Sequence, residues 1–317
     1  MSENTATRAV TRLPPCPDAL SSSAALPFDP LSSSAALTFD PRTSEHKVVR
    51  LFMHSCYDRQ LRDRRSLVKC EMYTLGGDRW KPAAGGAPSS GDAQAAVGHA
   101  CFQKLPPVFV NGSLHWLLPP LLQETMSIMS FSITEEAFGW VQPPPFVASG
   151  NSHLVELDGH LCMARDLRAD SPSMLEIWRL LQQGSTASGD WSLDYRIDLS
   201  AQTTREVVIE LEEIRVEPQV VRVLGVTGND RSSGKKIIIG TTAQHEVHAW
   251  DAASGTTETI FSVEDTNLGY QAESSCLHLC LFKENLAPVH RTDEERSWSS
   301  PVDKAVKEIL ALFGSMC

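Results

Sequence analysis

Three short stretches carry residue types that do chemistry elsewhere. "GNDRSSGKK", Gly228 to Lys236, resembles a phosphate-binding loop in outline. The P-loop pattern GxxxxGK[ST] cradles phosphates with backbone N–H groups and places a hydroxyl on the metal. Here five residues separate Gly228 from Gly234, and Lys236 stands where the hydroxyl belongs. A hairpin loop between "VVRVLGV" and "KKIIIGT" accounts for it better. "HEVH", His245 to His248, is not HExxH. On a strand the two histidines point to opposite faces and cannot share a zinc. "CLHLC" puts Cys276 and Cys280 on one strand face, read as packed thiols, with too few partners nearby for a zinc half-site.

The acidic pairs Glu135-Glu136 and Glu212-Glu213 are neighbours in sequence. General acid/base work needs two carboxyls across a cleft at a set separation, so these read as solvated charge. No GxSxG elbow occurs. Asn111-Gly-Ser is a glycosylation sequon at a turn, expected to stay unmodified without a secretory signal. The residues therefore predict no catalytic, cofactor-binding or metal site, and they do not identify partner-binding positions. Chemistry this sparse favours a binding module over an enzyme.

Composition narrows the class further. The 317 residues suffice for one large domain or two ordinary ones. A net charge of −11 argues against a nucleic-acid surface, which would be basic. No run approaches the apolar length of a membrane span, and the N-terminus lacks the apolar core of a secretory signal. Cys16, Cys56, Cys70, Cys101, Cys162, Cys276, Cys280 and Cys317 form no CxxC pair, and read as reduced thiols. The expected setting is intracellular, in the cytoplasm and/or nucleus.

The elements that must position any site are short strands. "PVFVNGSLHWLL", "LVELDGHLCMA", "VVRVLGV", "KKIIIGTT" and "CLHLCLF" are rich in Val, Ile and Leu and bounded by turn residues. Asn111-Gly112 and Asp158-Gly159 supply the positive-φ pairs of tight hairpins. Two-strand units recur as "CEMYTLGGDRWKP", "IMSFSITEEAFGWVQPP", "LEIWRLLQQGSTASGDWSLDYRI" and "VHAWDAASGTTETIFSV". Trp80, Trp140 and Trp191 each restart a strand after a polar turn and are expected to cover the next meander. Trp116 and Leu114 share a strand face, with His115 and Leu117 opposite. Leu193 and Tyr195 are expected to follow Trp191 on its face. Such small sheets must stack, radially as a β-propeller or face to face as a sandwich. The length suits five or six blades better than one sandwich.

At the N-terminus, "LSSSAALPFDP" and "LSSSAALTFDP" are an eleven-residue unit written twice. Two copies do not make a solenoid. The second leads into a strand, so the first is expected to lie outside the fold. Residues 1–36 read as a poorly ordered Ser/Ala/Pro-rich segment, 37–290 as a β-rich domain, and 291–317 as a tail. In that tail "VDKAVKEILALF" has helical periodicity over 302–313.

The ordered series "LTFDPRTSEHKVVRLF", "CEMYTLGGDRWKP", "PVFVNGSLHWLL", "IMSFSITEEAFGWVQPPP", "LVELDGHLCMARD", "LEIWRL…WSLDYRIDL" and "VHAWDAASGTTETIF" resembles the F-box-associated domain of plant F-box proteins. The resemblance covers 37 to about 290. It implies an all-β, kelch-like propeller, or a related array of antiparallel meanders, with the short C-terminal helix beside it. It also implies a role in selecting the protein that an SCF-type (Skp1-cullin-F-box) ubiquitin ligase modifies. In that family an F-box precedes this domain and docks on Skp1. Residues 1–36 do not carry its helical pattern, so Skp1 binding is not expected from this sequence. The expected partner is a client protein, with no cofactor, nucleic acid or membrane. The alternative reading is a propeller enzyme or carbohydrate binder, since fold alone does not settle function. Deleting Leu20 to Pro30 is expected to leave the melting temperature unchanged, which thermal denaturation of the deletion variant checks.

Overall fold

The computed structural model describes residues 2–4, 9–11, 33–58, 63–86, 94, 97–98, 106–118, 126–146, 152–167, 174–182, 190–199, 205–210, 213–218, 221–228, 234–241 and 246–262. These form an all-β chain, arranged as a propeller of four antiparallel four-stranded sheets. A hairpin, β1 (Ser2–Asn4) with β2 (Ala9–Thr11), precedes them. The first sheet is β3 (Ser33–Asp40), β4 (Glu45–Asp58), β5 (Asp63–Thr74) and β6 (Lys81–Pro82). The second is β7 (Val108–Val110), β8 (Ser113–Leu118), β9 (Ser127–Ser132) and β10 (Ala137–Val141). The third is β11 (His153–Leu157), β12 (His160–Asp166), β13 (Met174–Gln182) and β14 (Asp190–Asp198). A separate hairpin, β15 (Arg205–Glu210) with β16 (Glu213–Pro218), comes before the fourth sheet. That sheet is β17 (Val221–Thr227), β18 (Lys236–Thr241), β19 (Val247–Asp251) and β20 (Thr257–Phe261).

Every sheet is a meander in sequence order, which short turns dictate. Asn111 (φ 49°) with Gly112 (φ 76°), and Asp158 (φ 51°) with Gly159 (φ 76°), make two-residue turns. Paired positive φ values are the signature of the type I′ hairpin, whose twist matches that of the strands. Segment lengths suggested five or six blades. The described residues hold four complete ones, with the two-stranded β15–β16 hairpin between the third and the fourth. The duplicated segment contributes its second copy to β3. Its first copy, the 302–313 helix and Cys276–Cys280 lie outside the described residues. The expected domain start at Leu37 falls within β3, whose Ser34 is already buried.

Apolar side chains alternate along the strands, so each sheet has two faces to bury. In the first seam Val49, Leu51 and Met72 meet Leu114, Trp116 and Phe131 across the first two sheets. Trp116 is 1% exposed, and its Nε1 donates to Ser34 Oγ at 3.0 Å. In the second seam Val110, Ile128 and Val141 meet Leu161, Met163 and Leu180. In the third, Cys162, Ile177 and Ile197 meet Val223, Ile237 and Trp250. There the Val223 amide also donates to His153 Nε2 at 2.9 Å, joining the first strands of the third and fourth sheets.

Two expectations for the tryptophans are corrected. Trp140 covers no neighbour. It is 56% exposed, on the outer strand of the second sheet beside Met129, next to a first sheet whose own outer strand has only two residues. Trp191 and Tyr195 do not share a face. Leu193 pairs with Trp178 and Tyr195 with Ile177, so Asp194 is an extra residue in β14. A bulge of this kind shifts the alternation by one residue. Trp191 consequently packs into the second seam and Tyr195 into the third. Trp80 is buried against Tyr73, at 5.5 Å between ring centroids, within its own sheet. Truncating Trp116 to Ala is therefore expected to cost about 3–5 kcal/mol, as for other buried aromatics. Trp140→Ala is expected to stay within about 0.5 kcal/mol of wild type, as surface substitutions do. Urea melts of both variants check the pair.

Candidate functional site

Among the described residues, Cys162, His115 and His248 lie where burial suppresses their chemistry. Cys162 sits in the third seam, and burial pushes its thiol up to about 12. A thiol in that range is not the thiolate a nucleophile requires. His115 is 2% exposed between Val108 and Ser130, and neither ring nitrogen has a hydrogen-bond partner among the described residues. Burial holds its pKa below the ordinary histidine value, and the nearby backbones of Val108 and Ser113 offset this only in part. His248, the described member of "HEVH", is buried on β19. Its Nδ1 lies 3.0 Å from Thr259 Oγ1 and its Nε2 3.5 Å from Glu246 Oε2. Burial lowers its pKa as well, against the pull of Glu246. Its partner His245 lies outside the described residues. Asp40 is fully buried, 2.7 Å from Lys47 Nζ, and the Lys47 hydrogen bond holds its carboxyl below the usual range.

What the strands do present is a set of pinned turns. Arg42 Nη2, in the β3–β4 turn, donates to the Thr134 carbonyl in the β9–β10 turn at 3.1 Å. Glu136 in that second turn accepts the Ala84 amide on Oε2 at 3.0 Å, and its carbonyl accepts the Gly85 amide at 2.9 Å. A Cβ on Gly85 would come 2.5 Å from that same carbonyl oxygen, so only glycine allows this approach. The first and second sheets are thus laced together through their turns. Glu136 acts there as a positioning residue, not as half of an acid/base pair; Glu135 beside it donates its amide to Ser132 Oγ.

The third and fourth sheets are laced in a similar way. Lys235, from the loop that resembled a phosphate cradle, forms an ion pair with Asp158 in the β11–β12 turn. Its ammonium also lies 5.2 Å from the centre of the Tyr195 ring, and Tyr195 meets Trp250 edge-on at 5.9 Å. Burial works against the charge on Lys235, but the hydrogen bonds to Asp158 and Tyr195 outweigh it and raise the pKa. This lysine is committed to a protein carboxylate, and Lys236 beside it reaches Glu258 at 3.3 Å. Sequence reading identified the turns but not these links. They join residues 92 and 52 positions apart, for which a single sequence carries no signal.

Among the described residues no three His, Cys, Asp or Glu side chains converge to hold a metal. None of the described helices is long and apolar enough to cross a membrane. Pinned turns on stacked four-stranded meanders are the architecture of a β-propeller. The F-box associated beta propeller domain family matches residues 27–252, well over half of the chain. The chain belongs to that family, whose domains mediate protein interactions. No curated protein matches it.

The buried histidines give the fold a defined response to acid. Both are held neutral in the folded state, while the unfolded chain titrates at about pH 6.5. The unfolded state therefore binds more protons below that value, so stability is full above about pH 6.5 and falls as pH drops toward the lowered folded pKa values. Melting temperatures measured from about pH 7.5 to pH 5.5 are expected to decline, and His115→Leu is expected to make the decline shallower.

Proposed function

We propose that this domain is the client-recognition part of an SCF-type ubiquitin ligase. In the F-box proteins this family accompanies, the F-box docks on Skp1 and the associated propeller selects the protein to be modified. The observation that carries the reading is the family match over 27–252, which spans the four sheets from β3 to β19. The chemistry of the site supports it. The exposed groups are turns fixed by cross-sheet hydrogen bonds, and loops on a rigid scaffold are where recognition is commonly placed. Cys162, His115 and His248 are buried and offer no nucleophile or general base to solvent, which fits a domain that binds its client. Its working location is the cytoplasm and/or nucleus.

Proximity labelling in cells tests this reading. Wild type is expected to enrich a specific client protein together with ubiquitin-ligase subunits. Arg42→Glu combined with Glu136→Arg is expected to reduce client labelling without loss of the folded protein. Recovery of no specific client, alongside small-molecule turnover by the purified domain, would overturn the proposal.

A further inference from the structure

Between the second and third sheets one arginine is laid against an aromatic ring. β10 leaves its sheet through "QPPPF", Gln142 to Phe146. Consecutive prolines fix φ, so this segment is stiff before it meets anything. The Gln142 carbonyl accepts Trp191 Nε1 at 2.8 Å, and the Phe146 amide donates to the Pro144 carbonyl at 2.8 Å. The Phe146 ring is thereby held on the third sheet. Its centre lies 5.1 Å from that of the Trp178 ring and 4.6 Å from the Arg165 guanidinium.

Strand register supplies the neighbours. Arg165 pairs with Glu176, which pairs with Arg196, and one step along Trp178 pairs with Leu193. Residues two apart on a strand share a face, so Glu176 and Trp178 project to the same side. Glu176 is 6% exposed and already engaged: Oε1 accepts Arg196 Nη2 at 2.9 Å and Oε2 accepts Trp178 Nε1 at 3.1 Å. Another arginine of the same sheet, Arg179, forms an ion pair with Asp194. Arg165 is half-buried, and its buried Nε has no hydrogen-bond partner among the described residues. Two arginines against one glutamate leave this row one positive charge to spare, in a chain whose net charge is −11.

We infer that Arg165, Phe146, Trp178 and Leu193 form a docking site for an acidic segment of a partner protein. One Asp or Glu carboxylate of that segment sits on the guanidinium, and an adjoining apolar side chain packs on the rings and on Leu193, which is 37% exposed. A half-buried cation costs free energy that a carboxylate partner recovers. The planar fork of arginine takes a carboxylate in its own plane while its face stays on the ring. A single carboxylate matches the one spare charge; a doubly charged phosphate exceeds it and meets Glu176. The proline-stiffened segment sets the ring in place beforehand, which lowers the cost of ordering the site on binding. Tryptophan and arginine side by side are the residues that most often carry binding energy at interfaces. The inference builds on the reading of the domain as one that binds client proteins, but its test needs no ligase subunit, so either can fail while the other stands.

The indole N–H signal of Trp178, assigned through Trp178→Phe in the ¹⁵N-labelled full chain, reports on the site. Titration with the end-blocked peptide Gly-Leu-Glu-Phe-Gly is expected to shift it saturably. The same peptide with Gln in place of Glu is expected to bind about ten-fold more weakly or worse, as is the Glu peptide to Arg165→Gln. Arg165→Lys keeps the charge without the fork and is expected to fall between. Arg222→Gln, at an exposed arginine of β17, is expected to bind like wild type. Unchanged melting temperatures and an unmoved Trp116 indole signal check that the variants remain folded. A Trp178 signal that does not respond saturably overturns the inference, as does equal binding of the Gln peptide or full binding by Arg165→Gln. Tighter binding of a phosphoserine peptide than of the Glu peptide assigns the arginine to phosphate, and preference for single-stranded oligothymidylate assigns it to nucleic acid. Either result removes the carboxylate as its occupant.

Discussion

A sheet that is apolar on both faces cannot be left with one face in water. That constraint governs this molecule. The second sheet places Leu114, Trp116 and Phe131 on one side and Val110, Ile128 and Val141 on the other. The third does the same with Met163 and Leu180 against Cys162 and Ile177. Neither has a solvent face to spare, so each needs a neighbour on both sides. The hydrogen bonds across the seams set register more than they supply energy. Trp116 to Ser34 and Val223 to His153 each contribute on the order of 1 kcal/mol net, whereas the apolar burial around them contributes about 25 cal/mol per Å² removed from water.

The same constraint explains why so little chemistry is accessible. A seam that excludes water raises the cost of charge in it, and the titratable groups there are held neutral or paired. Cys162 is kept as a thiol, and His115 and His248 are kept as neutral imidazoles. The turns, by contrast, keep polar groups at the surface, in positions set by contacts such as Arg42 with Thr134 and Lys235 with Asp158. Family membership and this distribution of groups agree with each other, although they come from different kinds of observation.

Much of the fold was legible in the sequence because its signals are local. Period-two alternation, the Asn-Gly and Asp-Gly pairs and the strand lengths gave the meanders, and the split of Leu114 and Trp116 from Leu117 across the two faces of β8 is as read. The tryptophans were less legible, because position in a strand does not say what lies across from it. Trp116 is core and Trp140 is surface, yet both sit in similar apolar runs. The links between turns were not legible. The spacing of "GNDRSSGKK" favoured a hairpin loop, but nothing local indicated that Lys235 would reach Asp158, since that link depends on how two distant sheets stack.

The extra residue at Asp194 reaches beyond packing. Upstream of it β14 faces one seam, and downstream of it the same strand faces the other. The strand is read in two phases, like text whose frame shifts midway. Substitutions within either phase alter one seam at a time. Loss or gain of a single residue between Trp191 and Tyr195 would throw every later side chain into the wrong phase, with polar residues turned into the apolar core. Variation in this strand is therefore constrained more by length than by side-chain identity, and its natural diversity should accumulate as exchanges, not as insertions or deletions.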